Sequence, residues 1–212
     1  MTPKEELIIK FNHIILIQGF DKFSMVGLAK AANISRAKLY IYFKNKDEIV
    51  EAVVGRHLLF TQKYPVPTKI TIDNLLPTIL NALVLVGSTT DLFENELKQK
   101  YPQLYRDFIR SYSDYFRDLK VYYQAAQKQH LITDKVSVDY LLFQNKINVR
   151  GILQSVQSGE ITLEQGEQYL KEGFTFQMHS MLVNHPEPSA EVTKFEKILL
   201  AEYYDTYSQV EN

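Results

Sequence analysis

An all-α fold is what this 212-residue sequence predicts, on three observations. Apolar residues recur at helical spacing through one segment after another, capping residues stand where those segments begin, and glycine or proline stands where most of them stop. No internal repeat or low-complexity tract interrupts that order. Apolar residues make up 45% and charged residues 23%, an ordinary globular balance, so the placement of charge carries more than its total.

The first helix is predicted over Pro3 to Gln18. Thr2 can cap it, Pro3 suits the first helical position, and Glu5 and Glu6 favour the positive end of the helix dipole. Leu7, Ile8, Phe11, Ile14 and Ile15 form its apolar stripe, and Gly19 ends it as a left-handed cap. Phe20 and Phe23 follow as anchors. Ser24 caps a second helix, Met25 to Ala32, in which Gly27 is an oddity costing about 1 kcal/mol relative to alanine. A turn with Asn33 in the left-handed region leads to Ser35, the cap of a third helix from Arg36 to Tyr42 with Leu39 and Phe43 facing the core. Asn45, with Glu48 as capping-box partner, opens a fourth that ends before Tyr64-Pro65-Val66-Pro67, the expected boundary between head and body.

In the body, Ile70 to Gly87 reads as an apolar helix that Pro77 either kinks or delays to about Leu75. Asp91 is expected to cap a short helix to Lys100, and a long one runs from Tyr101 to about His130. Along it Tyr101, Tyr105, Phe108, Tyr112, Tyr115, Leu119 and Tyr122 recur at steps of four and three, a largely aromatic stripe. Asp134 or Ser137 opens the next helix, to about Ser158. Thr162 with Gln165 opens another to about Asn184, which His185-Pro186-Glu187-Pro188 ends, and Ser189 to Gln209 reads as the last.

Charge is unevenly spread along this order. Residues 1–60 hold nine Lys and Arg against six Asp and Glu, and residues 61–212 fifteen against nineteen. From Phe23 to Lys46 there are Lys30, Arg36, Lys38, Lys44 and Lys46 and no acidic residue. A helix-turn-helix whose face is purely basic suits a polyanion, and its outward N-terminal positions are those that reach base edges in a major groove. Lys46 sits at a helix start, where a cation is locally unfavourable, and a bound phosphate would explain it.

The run Gly19, Ser24, Leu28 and Ala29, Ile34 and Ser35, Lys38-Leu39-Tyr40, Tyr42-Phe43, Lys46 and the acid Glu48 resembles the DNA-binding head of the TetR family of bacterial regulators, over about residues 5–55. The resemblance implies nine or ten helices, a head at residues 1–47 connected by a fourth helix over about 46–62 to a ligand-binding and dimerisation body at 63–212, a homodimer, and repression relieved by a small ligand. It makes Ser24, Tyr40, Tyr42 and Lys46 phosphate contacts and Arg36, Ala37 and Lys38 groove-facing, with Ser35 as the capped end of the reading helix. Gly27 departs from the larger polar residue usual in the family, and Ala37-Lys38 replaces the usual Gly-Thr or Ala-Thr.

Several features keep two readings. The aromatic stripe is either core packing or one wall of a pocket for an amphipathic effector, built from Phe108, Tyr112 and Tyr115 with Gln144, Ile147 and Asn148. The face carrying Gly166, Leu170, Gly173, Gln177 and Met181, with Gly151 and Gln154 on the preceding helix, is either an intrachain packing face or a dimer seam, and the resemblance favours the seam. The alternative to a ligand-relieved repressor is a DNA-bound protein of the same fold that signals to a protein partner without a small-molecule inducer.

Other functions have little support. The histidines His13, His57, His130, His179 and His185 are scattered, without HExxH or a carboxylate cluster, so no metal site and no cofactor is expected. GxSxG, Walker A and GxGxxG runs are absent, so an enzyme is not expected. No cysteine is present, as suits a reducing cytosol. The N-terminus, with Glu5, Glu6, Asn12 and His13, is not a signal peptide, and the run from Leu75 to Gly87 falls short of the about 18 apolar residues of a membrane span. A cytoplasmic protein is expected.

Overall fold

The computed structural model describes residues 2–183 and 190–208, and among these it holds ten α-helices joined by short connections. They are α1 (Pro3–Gln18), α2 (Met25–Ala31), α3 (Arg36–Tyr42), α4 (Lys46–Lys63), α5 (Ile72–Gly87), α6 (Asp91–Lys100), α7 (Pro102–Lys128), α8 (Val138–Gln157), α9 (Leu163–Met181) and α10 (Ala190–Tyr207). The chain forms two compact units. The first takes in the described residues through Lys63, Thr89–Tyr112 and the end of α10 from Asp205; the second takes in Tyr64–Ser88 and the described part of Ser113–Tyr204.

In the first unit, α1 begins as its residues require: the Thr2 hydroxyl accepts from the Glu5 amide while the Glu5 carboxylate accepts from the Thr2 amide. It ends at Gly19 in a different way from a left-handed cap. Gly19 has φ 72° with an extended ψ of 178°, a region essentially reserved for glycine, and a Cβ there would collide with the Glu96 carboxylate. Phe11, Ile14 and Ile15 of α1 pack with Leu28 of α2, Leu39 of α3, Ile49, Val50, Val53 and Val54 of α4, Phe93 and Leu97 of α6 and Phe108 of α7. Burying each such side chain contributes about 1.5–3 kcal/mol. Phe11 meets Phe43 edge-on at 5.9 Å. The cap of α6 is Thr90 rather than Asp91, because its hydroxyl both accepts from the Phe93 amide and donates to the Leu16 carbonyl at 2.6 Å, tying α6 to the end of α1.

In the second unit α5 starts at Ile72, where Thr71 and Asn74 form a capping box, and Pro77 lies inside it. Gly87 lets α5 approach α8 closely, its absent side chain leaving Leu153 and Val149 at 3.1 and 3.2 Å from the Cβ position. Ser137 caps α8. Thr162 caps α9 with Gln165, and α9 stops at Met181 rather than about Asn184. Leu182 is drawn into an extended bridge with Ile132, flanked by Thr133 N–H donating to Met181 O at 2.7 Å and Val183 N–H to Leu131 O at 3.2 Å. The His185–Pro188 stop and the limits of the last helix at Ser189 and Gln209 lie outside the described residues.

Candidate nucleic-acid interface

Caps build the basic motif. The Ser24 hydroxyl accepts from the Gly27 amide at 3.2 Å and the Ser35 hydroxyl from the Lys38 amide at 3.1 Å, so α2 and α3 each start on a serine. Between them Asn33 takes φ 50°, and Ile34 N–H returns to Ala29 O at 2.9 Å. Leu28, Ala29, Ala32 and Leu39 are buried, which fixes α3 by its inward side and leaves the other side out. Gly27 has a packing role: a Cβ there would come within 3.2 Å of the Phe23 ring.

Lys30, Arg36, Lys38 and Lys44 are exposed, as are Ser24, Ser35, Ala37 and Tyr40, whereas Tyr42 and Lys46 are half-buried. The Arg36 guanidinium lies 5.3 Å from the centre of the Tyr40 ring. All eight residues expected to touch DNA therefore sit at the caps of α2 and α3, on α3 and at the first residue of α4, in one unit. Sequence reasoning passed over two exposed apolar side chains among them, Val26 and Ile41.

Lys46 has a second explanation. Its ammonium donates to Phe20 O at 3.2 Å and Asp21 O at 3.3 Å, so the chain itself supplies negative partners at the start of α4 and one of three N–H donors remains. The same loop is held from α6, where the Glu96 carboxylate accepts from the Phe20 amide at 2.6 Å and the Asp21 amide at 3.0 Å. Lys100 pairs with Asp21 at 3.2 Å, and the Tyr101 hydroxyl donates to Asp47. Asn45 caps α4 through the Glu48 amide, while the Glu48 carboxylate accepts from Lys44 N–H rather than from Asn45.

The expected effector residues divide between the units. Phe108 and Tyr112 belong to the first, where the fully buried Phe108 ring meets Tyr112, His57 and Phe93 at 4.5, 5.8 and 6.0 Å. His57 is buried beside them, with no partner on Nε2, and burial, with Arg56 adding to it, holds its pKa down to about 3. Tyr115, Gln144, Ile147 and Asn148 lie in the second unit: Tyr115 is buried, Gln144 and Asn148 half-buried and Ile147 exposed.

The face expected as a dimer seam is largely turned inward. Gly166 lies against Val156 and the Tyr203 hydroxyl, Gly173 is 3.2 Å (Cβ position) from Asn148, and Gln177 donates to Asn145. Met181 is buried and Leu170 half-buried, while Gly151 and Gln154 of α8 face solvent. The large apolar side chains left outside are Tyr140, Phe143 and Ile147 of α8 and Tyr169 and Phe176 of α9. Among the described residues no group of three or more His, Asp or Glu could hold a metal ion, and no single helix is long and apolar enough to cross a membrane.

Fold and motif together define a helix-turn-helix protein of the all-helical class. Residues 15–53 match the pattern of the family described as bacterial regulatory proteins, tetR family. An uncharacterized HTH-type transcriptional regulator of Haemophilus influenzae is 36% identical over 52 residues, which are 24% of this chain; the chain spans 28% of that relative's length. The crystal structure of a TetR-family transcriptional regulator from Marinobacter aquaeolei is similar in fold, with a TM-score of 0.58 over 96% of this chain and 99% of that one at 13% identity. Over residues 15–53 the chain thus carries the DNA-binding helix-turn-helix pattern of the tetR family of bacterial regulatory proteins, and beyond those residues it is similar to a TetR-family regulator in fold.

Proposed function

We propose that the protein is a cytoplasmic, non-enzymatic repressor that binds double-stranded DNA as a homodimer at a near-palindromic operator and is released by a small apolar or amphipathic effector. The observation that carries the DNA reading is the set of exposed cations Lys30, Arg36, Lys38 and Lys44 on a stretch, Phe23 to Lys46, that contains no acidic residue. Residues 1–47 are the DNA-binding domain, α4 the connection, and 63–212 the effector and dimerisation domain. Arg36 and Lys38 read guanine edges, each good bidentate contact giving about 1–3 kcal/mol of discrimination. Ser24, Ser35, Tyr40, Tyr42 and the remaining Lys46 donor hold phosphates, and Ala37 lets the helix approach.

Dimerisation is assigned to α8 and α9, where Phe143 is 61% and Phe176 67% exposed. A two-fold dimer sets two α3 helices on successive major grooves, so the operator must share its symmetry. The effector acts by favouring a state with a different spacing of the two heads, and DNA must weaken its binding by the same factor. Selection of bound DNA from random sequence tests the reading. The expected result is an inverted repeat with half-site centres about one helical turn apart; enrichment of single, unpaired sites would remove the dimer, and enrichment of nothing would remove the DNA function. Calorimetry giving one effector affinity with and without operator would remove the ligand switch.

A further inference from the structure

The outward face of α3 is centred on apolar side chains, although every charged residue from Phe23 to Lys46 is basic. Leu39 is fully buried and fixes the inward direction of this seven-residue helix. At about 100° per residue the direction opposite Leu39 falls between Ala37 and Ile41, which stand one turn apart on the same side. Both are exposed, Ile41 to 73%. Lys38 and Tyr40 flank that line, and Arg36, nearer the buried side, leans on the Tyr40 ring.

A single exposed isoleucine needs no explanation in itself. Its position does, because a helix lying in a major groove brings the middle of its outward face closest to the base edges. The occupant of this face is set by charge: the five cations from Phe23 to Lys46, without an acid among them, favour DNA over an apolar protein groove. In a major groove the one apolar group on a base edge is the 5-methyl of thymine. We infer that Ile41, with Ala37 one turn before it, reads the methyl group of a thymine in each half-site. This rests on the DNA-binding reading above and adds to it: the half-site carries a thymine at a fixed step from the bases that Arg36 and Lys38 contact.

The test uses the full chain and the operator recovered from random DNA, at one fixed salt concentration because phosphate contacts make affinity salt-dependent. Each thymine is replaced in turn, in both half-sites, by deoxyuridine, which deletes the methyl and keeps the hydrogen-bonding edge. At one position the unchanged protein is expected to lose about fourfold per half-site, the value of one buried methyl-sized group, or roughly sixteenfold over the dimer site. Ile41→Ala is expected to bind the thymine operator more weakly and to be indifferent to deoxyuridine at that position, whereas Ile41→Val keeps part of the discrimination. The exposure of Ile41 predicts that the variants melt with the unchanged protein. The inference falls if deoxyuridine is neutral at every thymine, if Ile41→Ala keeps the full penalty, or if the enriched half-site contains no thymine. A selection that enriches no sequence is a separate failure, and it overturns the DNA-binding reading as well.

Discussion

In the first unit five phenylalanine rings are inside and the cations of the helix-turn-helix outside. Phe11, Phe20, Phe43, Phe93 and Phe108 are each at most 1% exposed, while Lys30, Arg36, Lys38 and Lys44 face solvent. The second unit buries tyrosines instead, Tyr115, Tyr122 and Tyr123, and leaves Tyr140, Phe143, Ile147, Tyr169 and Phe176 outside. The difference separates two kinds of partner. A basic surface over a closed phenyl core gains by meeting a polyanion, whereas an apolar surface gains by being covered with another apolar surface.

The largest effect should come from breaking that second surface. Phe143→Glu combined with Phe176→Glu is expected to give a monomer in sedimentation equilibrium and, by removing the second linked head, to lower operator affinity by about 100-fold or more. Thermal unfolding of the monomer unit should change by less than about 0.5 kcal/mol, because both positions are exposed. A variant that stays dimeric would place the seam elsewhere on the chain.

How much of this was legible depended on range. The starts of α1 to α4 were readable because Thr2, Ser24, Ser35 and Asn45 signal over three residues, and Asn33 marks its own positive φ. The end of α9 was not, since it depends on a bridge to Ile132, fifty residues earlier in the chain. The aromatic stripe on α7 was visible as a period, but no period tells that its first part belongs to one compact unit and its second to the other. Gly166 and Gly173 stood out on one face, but no local signal named what they lie against, which is Tyr203 and Val156 for one and Asn148 for the other. Lys46 shows the same limit: its odd place at a helix start was plain, yet its partners, the carbonyls of Phe20 and Asp21, lie 26 and 25 residues away. Those partners belong to the loop that Glu96 holds from α6.

That loop sharpens the comparison from the other side, because it shows what orders the head. Glu96→Ala removes a carboxylate from two backbone donors, each such charged hydrogen bond contributing about 1.5–3 kcal/mol. Allowing for the half-exposed position, a loss of about 2 kcal/mol in denaturant unfolding is expected, with faster amide exchange at Phe20 and Asp21. Glu96→Gln should recover part of it, since the amide oxygen still accepts. Unchanged exchange at those two amides would show that α6 does not order the loop.

Acid should then distinguish the two units. His57 is neutral inside the phenyl core because burial lowers its pKa to about 3, against about 6.5 unfolded. Between those values the unfolded chain binds the extra proton, so stability is intact above about pH 6.5 and falls as the pH drops toward 3. By pH 5 the loss is about 2 kcal/mol, and His57→Leu should flatten that limb of the stability profile. At high pH the direction reverses, in the first unit through Tyr101, whose hydroxyl burial also raises, and in the second more strongly. Burial raises the Tyr123 and Tyr115 hydroxyls above their ordinary value of 10, so there the unfolded chain loses protons first and stability falls as the pH rises through about 10. Amide exchange at pH 5 should therefore quicken in the α4 and α6 core before the α8 and α9 core, and His57→Leu should abolish the difference. An acid limb that survives His57→Leu would mean that another group, outside the phenyl core, sets the acid sensitivity of the head.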